Sequence, residues 1–225
     1  MRRMLILSVL LVVTASCTNG GETETTVAVT AREPGAAVQQ WIDALGAGRD
    51  TEAHTLVEPA GLAVVIAVEN RLEPDQLATL LTDGIPASLR ASYWASFADS
   101  FATFRGMALS AVTVGEAATF DIEGIAFAAV TIRAGDGSGE VITRGAEDGT
   151  WQVDMVATVG PGLASAIADD LPAGLESDGG GAIAAAYHAA VIPGLSAALA
   201  RDASNRSLVF DIEYIVQLLA QHPEP

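Results

Sequence analysis

The apolar residues of this chain change their spacing near Gly106, and this change constrains the fold more than any other feature. Before Gly106 large apolar side chains recur at helical spacing, most clearly in the segment 86–106, where they repeat every four residues: Leu89, Tyr93, Phe97 and Phe101. After Gly106 the spacing approaches every second residue, which is typical of β-strands. The sequence therefore predicts helices first and an antiparallel sheet second, an α+β fold.

Helices are predicted in both halves of the chain, because proline near a segment's start and glycine near its end delimit several apolar-periodic stretches. The expected helical segments are 34–45, 50–57, 74–81, 86–105, 161–168, 181–200 and 207–220. The run 62–68 is apolar throughout, and its spacing leaves both a strand and a buried helix open.

Strands are predicted over 109–114, 118–122, 125–133, 140–144 and 150–159, joined by the turns 135–139 and 146–149. Connections this short indicate successive antiparallel hairpins. If the turns are symmetric, Ile142 lies opposite Ile132, and Arg133 forms a cross-strand ion pair with Asp154. In that register Arg144 faces Trp151 and stacks on its ring.

The N-terminus has the three-part layout of a secretory signal peptide: two arginines, an apolar run over 4–13, and three small residues at 14–16. The apolar run is about half as long as a membrane-spanning helix requires. The small residues directly before Cys17 resemble the lipobox of bacterial lipoproteins. That resemblance implies cleavage before Cys17 and attachment of a diacylglyceryl group to its sulfur.

Cys17 is the only cysteine of the chain, which excludes an internal disulfide and a cysteine cluster for metal binding. The alternative is an ordinary signal peptide with an incidental cysteine. Acyl chains such as palmitate contribute about 0.8 kcal/mol per buried methylene, so two of them hold a soluble domain at a membrane. We therefore expect a lipid-anchored protein on the extracytoplasmic face of a membrane in the cell envelope.

Four segments follow from these patterns: a signal peptide over 1–16, a polar, flexible tether over 17–33, an α+β domain over 34–160, and a C-terminal helical extension over 161–225 packed on that domain. The segment 179–200 has no charged residue and is long enough to span a bilayer. Its many small residues, and Tyr187, His188 and Pro193 in its middle, favour a buried helix instead.

The charge of the chain excludes polyanionic partners. There are 28 acidic residues against 11 basic ones, none of them lysine, and the formal net charge is −17. Such a surface repels phosphate backbones and anionic headgroups. We expect no nucleic-acid partner, and membrane contact only through the lipid anchor.

The order of the elements, helices first and hairpins second, resembles that of the nuclear transport factor 2 superfamily, which includes the SnoaL-like proteins. The resemblance extends to the turn Asp148-Gly149-Thr150, which leads into the strand residues Trp151-Gln152-Val153. The resemblance covers about residues 34–159. It implies a cone fold, in which N-terminal helices pack on a curved antiparallel sheet and enclose a pocket. The helical tail after Pro161 and the extra helix near Pro74 depart from this pattern, which leaves open whether the pocket is open or filled.

Six residues are expected to line such a pocket: Trp41, Tyr93, Trp94, Arg144, Trp151 and Met155. An apolar pocket with few polar groups suits a small hydrophobic ligand. Asp43, His54, Tyr93 and Arg144 are the groups that an enzyme of this fold could use, but each has a structural explanation. The three histidines lie far apart without metal-ligand spacing, and we predict no catalytic residue, no metal site and no cofactor.

The function expected from the sequence is non-enzymatic: a membrane-tethered extracytoplasmic domain that binds a partner, such as an envelope protein, or supports an envelope assembly. The first alternative is a carrier of a small apolar ligand. The second is a cone-fold enzyme that acts on a small organic molecule. An open pocket favours either alternative, whereas a pocket filled by the C-terminal helices favours envelope support.

Replacement of Cys17 by serine tests the lipid anchor. Serine removes the sulfur that carries the lipid, so we expect the Cys17→Ser protein to leave the membrane fraction, while the neighbouring Thr18→Ser control stays in it. Membrane fractionation followed by mass spectrometry of the N-terminus measures both location and processing. Equal membrane retention of the two proteins would refute the anchor.

Overall fold

A computed structural model describes residues 31–105 and 108–222, without the side chains of Phe104 and Arg105. The predicted signal peptide, Cys17 and most of the tether lie outside the described residues. Within the described ranges, five α-helices precede a four-stranded antiparallel sheet and five follow it. The predicted α+β class, with N-terminal helices packed on the sheet and helices after it, is confirmed.

The N-terminal helices are α1 (Pro34–Gly46), α2 (Asp50–Thr55), α3 (Pro59–Asn70), α4 (Pro74–Asp83) and α5 (Ala87–Arg105). Proline begins α1, α3 and α4, where its missing N–H leaves no intrahelical bond unmade. The ambiguous run 62–68 lies in α3, and its residues up to Ala67 are buried. The side chain of Glu58 caps this helix by accepting hydrogen bonds from the amides of Ala60 and Gly61, at 3.0 and 2.6 Å.

The sheet contains β1 (Thr113–Ile122), β2 (Ile125–Ala134), β3 (Gly137–Gly145) and β4 (Trp151–Val153), in that spatial order. The chain before α3 continues the sheet beyond β4 through a parallel bridge between Val57 and Val153. Two backbone hydrogen bonds hold it: Val153 donates to Leu56 at 2.8 Å and accepts from Glu58 at 3.0 Å. This segment covers the edge of β4, which would otherwise present unpaired backbone groups.

The pairing of β2 with β3 differs from the predicted register. Gly135 and Asp136 form a two-residue turn, so that Ala134 lies opposite Gly137, and Gly135 has a positive φ of 60°, as such hairpin turns require. Ile142 consequently lies opposite Ala129 rather than Ile132. This shift by an odd number of residues exchanges the two faces of the strand.

The predicted ion pair between Arg133 and Asp154 is therefore wrong. Arg133 lies opposite Ser138 at the turn end of the sheet, whereas Asp154 is fully buried beside Arg144. The stacking predicted for Arg144 also differs, because its guanidinium lies over the ring of Phe127, 5.1 Å from the centroid.

Two strand predictions are corrected at the ends of the sheet. The predicted strands 109–114 and 118–122 form the single strand β1, preceded by a 3-10 turn (Leu109–Ala111). The predicted strand 150–159 ends at Val153, because Asp154 caps the helix α6 (Met155–Val159) by accepting a hydrogen bond from the amide of Ala157 at 2.8 Å. An N-cap of this kind stabilises a helix start by about 1 kcal/mol.

The C-terminal part continues with a 3-10 turn (Gly160–Gly162), α7 (Ala164–Glu176), α8 (Gly180–Ala186), a π-helical turn (Tyr187–Val191), α9 (Ile192–Arg201) and α10 (Arg206–Ala220). The helix predicted over 161–168 begins later and extends past Pro172.

Among the described residues, one continuous helix, Gly180–Arg201, has the length and apolar composition of a membrane span. It comprises α8, the π-helical turn and α9. Within the fold 61% of its apolar window is buried, so the burial predicted from its small residues is confirmed.

The two faces of the sheet pack against different helices. Val130, Val141 and Val153 belong to the main core, together with Trp41 of α1 and Trp94 of α5. The other face contributes Phe127, Ala129 and Ile142 to a second cluster, with Ala157 of α6 and Ala197 of α9. The sheet thus lies between the N-terminal helices and part of the C-terminal ones.

Arg144 of β3 connects the sheet to the C-terminal helices. Its Nε donates to Oδ2 of Asp154 at 2.9 Å. Its Nη1 and Nη2 donate to the carbonyl oxygens of Ala189 and Ala190 at 2.6 and 3.1 Å. These carbonyls lie in the π-helical turn, and Pro193 has no N–H to offer the carbonyl of Ala189 four residues earlier. Arg144 therefore binds two carbonyl groups at a position where Pro193 has no N–H to donate.

Removal of the Arg144 charge tests this connection. We expect Arg144→Met to lower the free energy of unfolding by about 3–5 kcal/mol, because it leaves a buried carboxylate without a counter-charge. The control is Arg201→Met, which breaks the more exposed 2.7 Å pair with Glu140 and should lose less than about 1 kcal/mol. Urea unfolding followed by circular dichroism measures both. Equal losses would contradict a structural role for Arg144.

Candidate functional site

An open pocket of about 710 Å³ lies between α1, α5 and the face of the sheet that α1 covers. We call it the aromatic pocket. Ligand sites typically enclose about 300–1,000 Å³, so its volume suits a small organic molecule. Its walls are largely apolar and include Trp41, Ile42, Phe97, Phe101, Val112 and Ile132.

Helical spacing explains how α5 supplies one wall. Tyr93, Phe97 and Phe101 follow one another at four-residue intervals and therefore lie on one side of the helix. Tyr93 is buried beneath the wall, whereas Phe97 and Phe101 are half-buried and line the pocket. The stripe of large apolar side chains on α5 is thus partly core and partly pocket wall.

Aromatic packing fixes the wall of the pocket. The ring of Trp41 lies 5.5 Å from that of Phe97 and 6.1 Å from that of Trp94, with an interplanar angle of 76° in the second pair. Tyr93 packs edge-on against Trp94 at 4.8 Å. Such pairs add about 0.5–1.5 kcal/mol each beyond the burial of their area. Contacts between the rings therefore hold the wall in place.

Four polar side chains line the aromatic pocket, and two of them already have partners. Glu140 forms an ion pair with Arg201 at 2.7 Å, and Oγ1 of Thr158 accepts a hydrogen bond from the amide of Ile142 at 3.0 Å. Glu69 and Ser100 have no side-chain hydrogen bond or ion pair within the described part of the chain. Glu69 is exposed at the edge of the pocket, and partial burial of its carboxyl group raises its pKa.

Three polar atoms of the aromatic cluster are buried without a partner among the described residues: Nε1 of Trp41, Nε1 of Trp94 and the hydroxyl of Tyr93. Burial raises the pKa of Tyr93, and the negative charge of Glu69 raises it further. Glu69 is thus close enough to the cluster to act on it electrostatically. Each unsatisfied buried donor costs about 1–3 kcal/mol, so this wall is maintained at an energetic cost.

The structure brings together three of the six residues predicted to line a pocket. Trp41 lines the aromatic pocket, and Tyr93 and Trp94 pack behind it. The other three lie elsewhere. Met155 is fully buried at the start of α6, Trp151 is half-buried at the start of β4, and Arg144 lies on the face of the sheet turned to α9.

Sequence reasoning missed the pocket-lining residues Glu69, Ser100, Val112 and Ile132. The error in the predicted register placed Ile132 on the wrong face of the sheet. Glu69 gave a weak signal, because it is the first charged residue after the apolar run 62–68.

The side chains considered for catalysis do not converge. Asp43 is exposed on α1 and accepts a hydrogen bond from Nε2 of Gln39 at 2.9 Å. His54 lies on α2, where burial lowers its pKa, and it is not part of the pocket wall. Over residues 31–105 and 108–222, no three His, Cys, Asp or Glu side chains are grouped so that they could hold a metal ion.

A second group of charges lies behind the sheet, where Glu58 and Asp154 are close enough to interact. Burial raises the pKa of Glu58, and the charge of Asp154 raises it further. Both carboxylates accept backbone hydrogen bonds at helix starts, Glu58 at α3 and Asp154 at α6. These hydrogen bonds identify both residues as helix caps. Neither residue lines the aromatic pocket.

The chain matches no protein-family model, no curated protein and no solved structure. The resemblance to the nuclear transport factor 2 superfamily therefore stays a prediction.

The raised pKa of Glu58 predicts a pH-dependent stability. A raised pKa in the folded state means that folding favours protonated Glu58. The stability that this preference contributes is fully present below the ordinary pKa of about 4.5. It is lost as the pH rises through the raised pKa of the folded state. Glu58→Gln does not titrate at this position. We therefore expect the unmodified protein to lose stability between about pH 4.5 and neutral pH in a way that Glu58→Gln does not. The free energy of unfolding of Glu58→Gln, minus that of the unmodified protein, should increase over this interval.

Urea unfolding at several pH values in this interval measures the effect. Glu116→Gln, at an exposed position of β1, controls for the loss of one negative charge. A stability difference between Glu58→Gln and the unmodified protein that stays constant with pH would contradict the expectation.

Proposed function

We propose that this chain is a membrane-tethered extracytoplasmic domain that binds a small, mainly apolar ligand in the aromatic pocket. The observation that carries the proposal is the open, largely apolar cavity of about 710 Å³. The tether and the lipid anchor at Cys17 enter the proposal from the sequence, through the lipobox-like residues before that cysteine.

The position of the C-terminal helices supports ligand binding over a purely supporting role in the envelope. The residues that line the pocket come from α1, α3, α5, the 3-10 turn before β1, β2, β3 and α6, and none comes from α7 to α10. Those helices pack elsewhere, with α9 on the opposite face of the sheet. The extension therefore leaves the aromatic pocket open.

The polar lining supports binding without catalysis. Thr158 and Glu140 are engaged in contacts within the protein, whereas Glu69 and Ser100 have no such contact among the residues that the structure describes. General acid–base catalysis needs a proton donor and acceptor placed at the reacting atoms. One carboxylate at the pocket edge and one serine without a base do not form such a pair. An envelope protein as a further partner stays a prediction.

A pocket-filling substitution tests the proposal. Ser100 lines the aromatic pocket from an exposed position of α5, so Ser100→Phe should fill the cavity without disturbing the core. We expect it to weaken binding of a neutral hydrophobic probe, N-phenyl-1-naphthylamine, by about tenfold, which corresponds to about 1.4 kcal/mol. Probe fluorescence measures the affinity, and competition with decanol shows that the site accepts an alkyl chain.

The matched control is Ser88→Phe, the same substitution at an exposed position of α5 that does not line the pocket. It should bind the probe like the unmodified protein. Equal loss in both variants, or probe binding that Ser100→Phe leaves unchanged, would count against the aromatic pocket as the binding site.

A further inference from the structure

We infer that the ligand of the aromatic pocket is an amphipathic cation, with an alkyl or aryl part on the ring wall and an ammonium group beside Glu69. This inference rests on the proposed function, because it names the class of ligand for the same pocket. It follows from the juxtaposition of one unpaired carboxylate with the aromatic rings of Trp41, Phe97 and Phe101 in a single cavity.

Glu69 is placed to receive a positive charge. It lies in the last turn of α3 (Pro59–Asn70), where the helix dipole also favours cations. Its side chain lines the pocket, and it has no ion pair within the described ranges. Partial burial desolvates the carboxyl group, which raises its pKa. A bound cation would compensate this loss of hydration through its own charge.

The aromatic rings add a second attraction for the same kind of ligand. Cations are attracted to the faces of aromatic rings, with tryptophan the strongest, and quaternary ammonium groups are recognised in this way. Trp41, Phe97 and Phe101 all line the pocket that Glu69 borders. The ring wall accommodates an apolar chain equally well, so one surface can take both parts of an amphipathic cation.

The described residues offer no competing cation inside the pocket. None of its lining residues is basic. The guanidinium of Arg201 is bound to Glu140 at the rim through two hydrogen bonds of 3.0 and 2.7 Å. A neutral ligand would leave the Glu69 carboxylate unpaired, and an anionic ligand such as a fatty acid would be repelled by it.

Three probes with the same ten-carbon chain test the inference: decyltrimethylammonium, decanol and decanoate. Isothermal titration calorimetry, at low ionic strength and below micelle-forming concentrations, measures their affinities. We expect decyltrimethylammonium to bind about tenfold more tightly than decanol, and decanoate to bind most weakly. In Glu69→Gln the preference for the cation over decanol should fall to about twofold or less, while the affinity for decanol stays unchanged.

The control Asp99→Asn removes an exposed acid of α5 that does not line the pocket, and it should keep the full preference. A second variant, Glu69→Lys, should reverse the order and favour decanoate over decyltrimethylammonium. Equal binding of decanol and decyltrimethylammonium, or a preference that both Glu69 variants retain, would overturn the cationic ligand and leave the proposed function standing. Failure of all three probes to bind would refute the proposed function itself.

Discussion

The buried ion pair between Arg144 and Asp154 is the interaction on which the arrangement of the other elements depends. Asp154 ends β4 and caps α6, so its position decides where the sheet stops. Arg144 ties that carboxylate to the π-helical turn between α8 and α9. A buried charge left alone costs several kcal/mol, so the pair holds strand, cap and helix in one mutual position. Gly194 permits the close approach of α9, because a Cβ there would lie 2.9 Å from the side chain of Val156.

This connection also explains why an open pocket exists on the other side of the sheet. The long apolar helix is committed to the face that carries Arg144, where Ala197 packs against Phe127 and Ile142. The opposite face is covered by α1, and the ring of Trp41 on α1 packs against Trp94 and Phe97 of α5, which also pack against each other. The pocket lining that the structure describes contains no residue of α7 to α10. The aromatic pocket is therefore a consequence of how the helices are divided between the two faces.

Much of the fold follows from local patterns. The errors arise where a single turn sets the sheet register or a single cap ends a strand. The helical spans and the order of the hairpins were predictable because apolar periodicity and proline positions are local signals. The sheet register was not, since it depends on whether the loop at Gly135 uses two residues or five. The end of β4 required recognising Asp154 as an N-cap within a β-branched run. The site was predictable through Trp41 and its aromatic neighbours, but Glu69 becomes informative only when the fold places it beside them.

Glu69 is distinguished from the other acidic residues by its surroundings and not by its lack of a partner. With 28 acidic and 11 basic residues, most carboxylates of this chain have no arginine to pair with, and water solvates them at little cost. Glu69 differs from these because partial burial desolvates its carboxyl group and because aromatic rings share its cavity. Desolvation penalises the unpaired charge, and aromatic faces attract cations but not anions. Both effects point to the same ligand charge, although one arises from a carboxylate and the other from neutral rings.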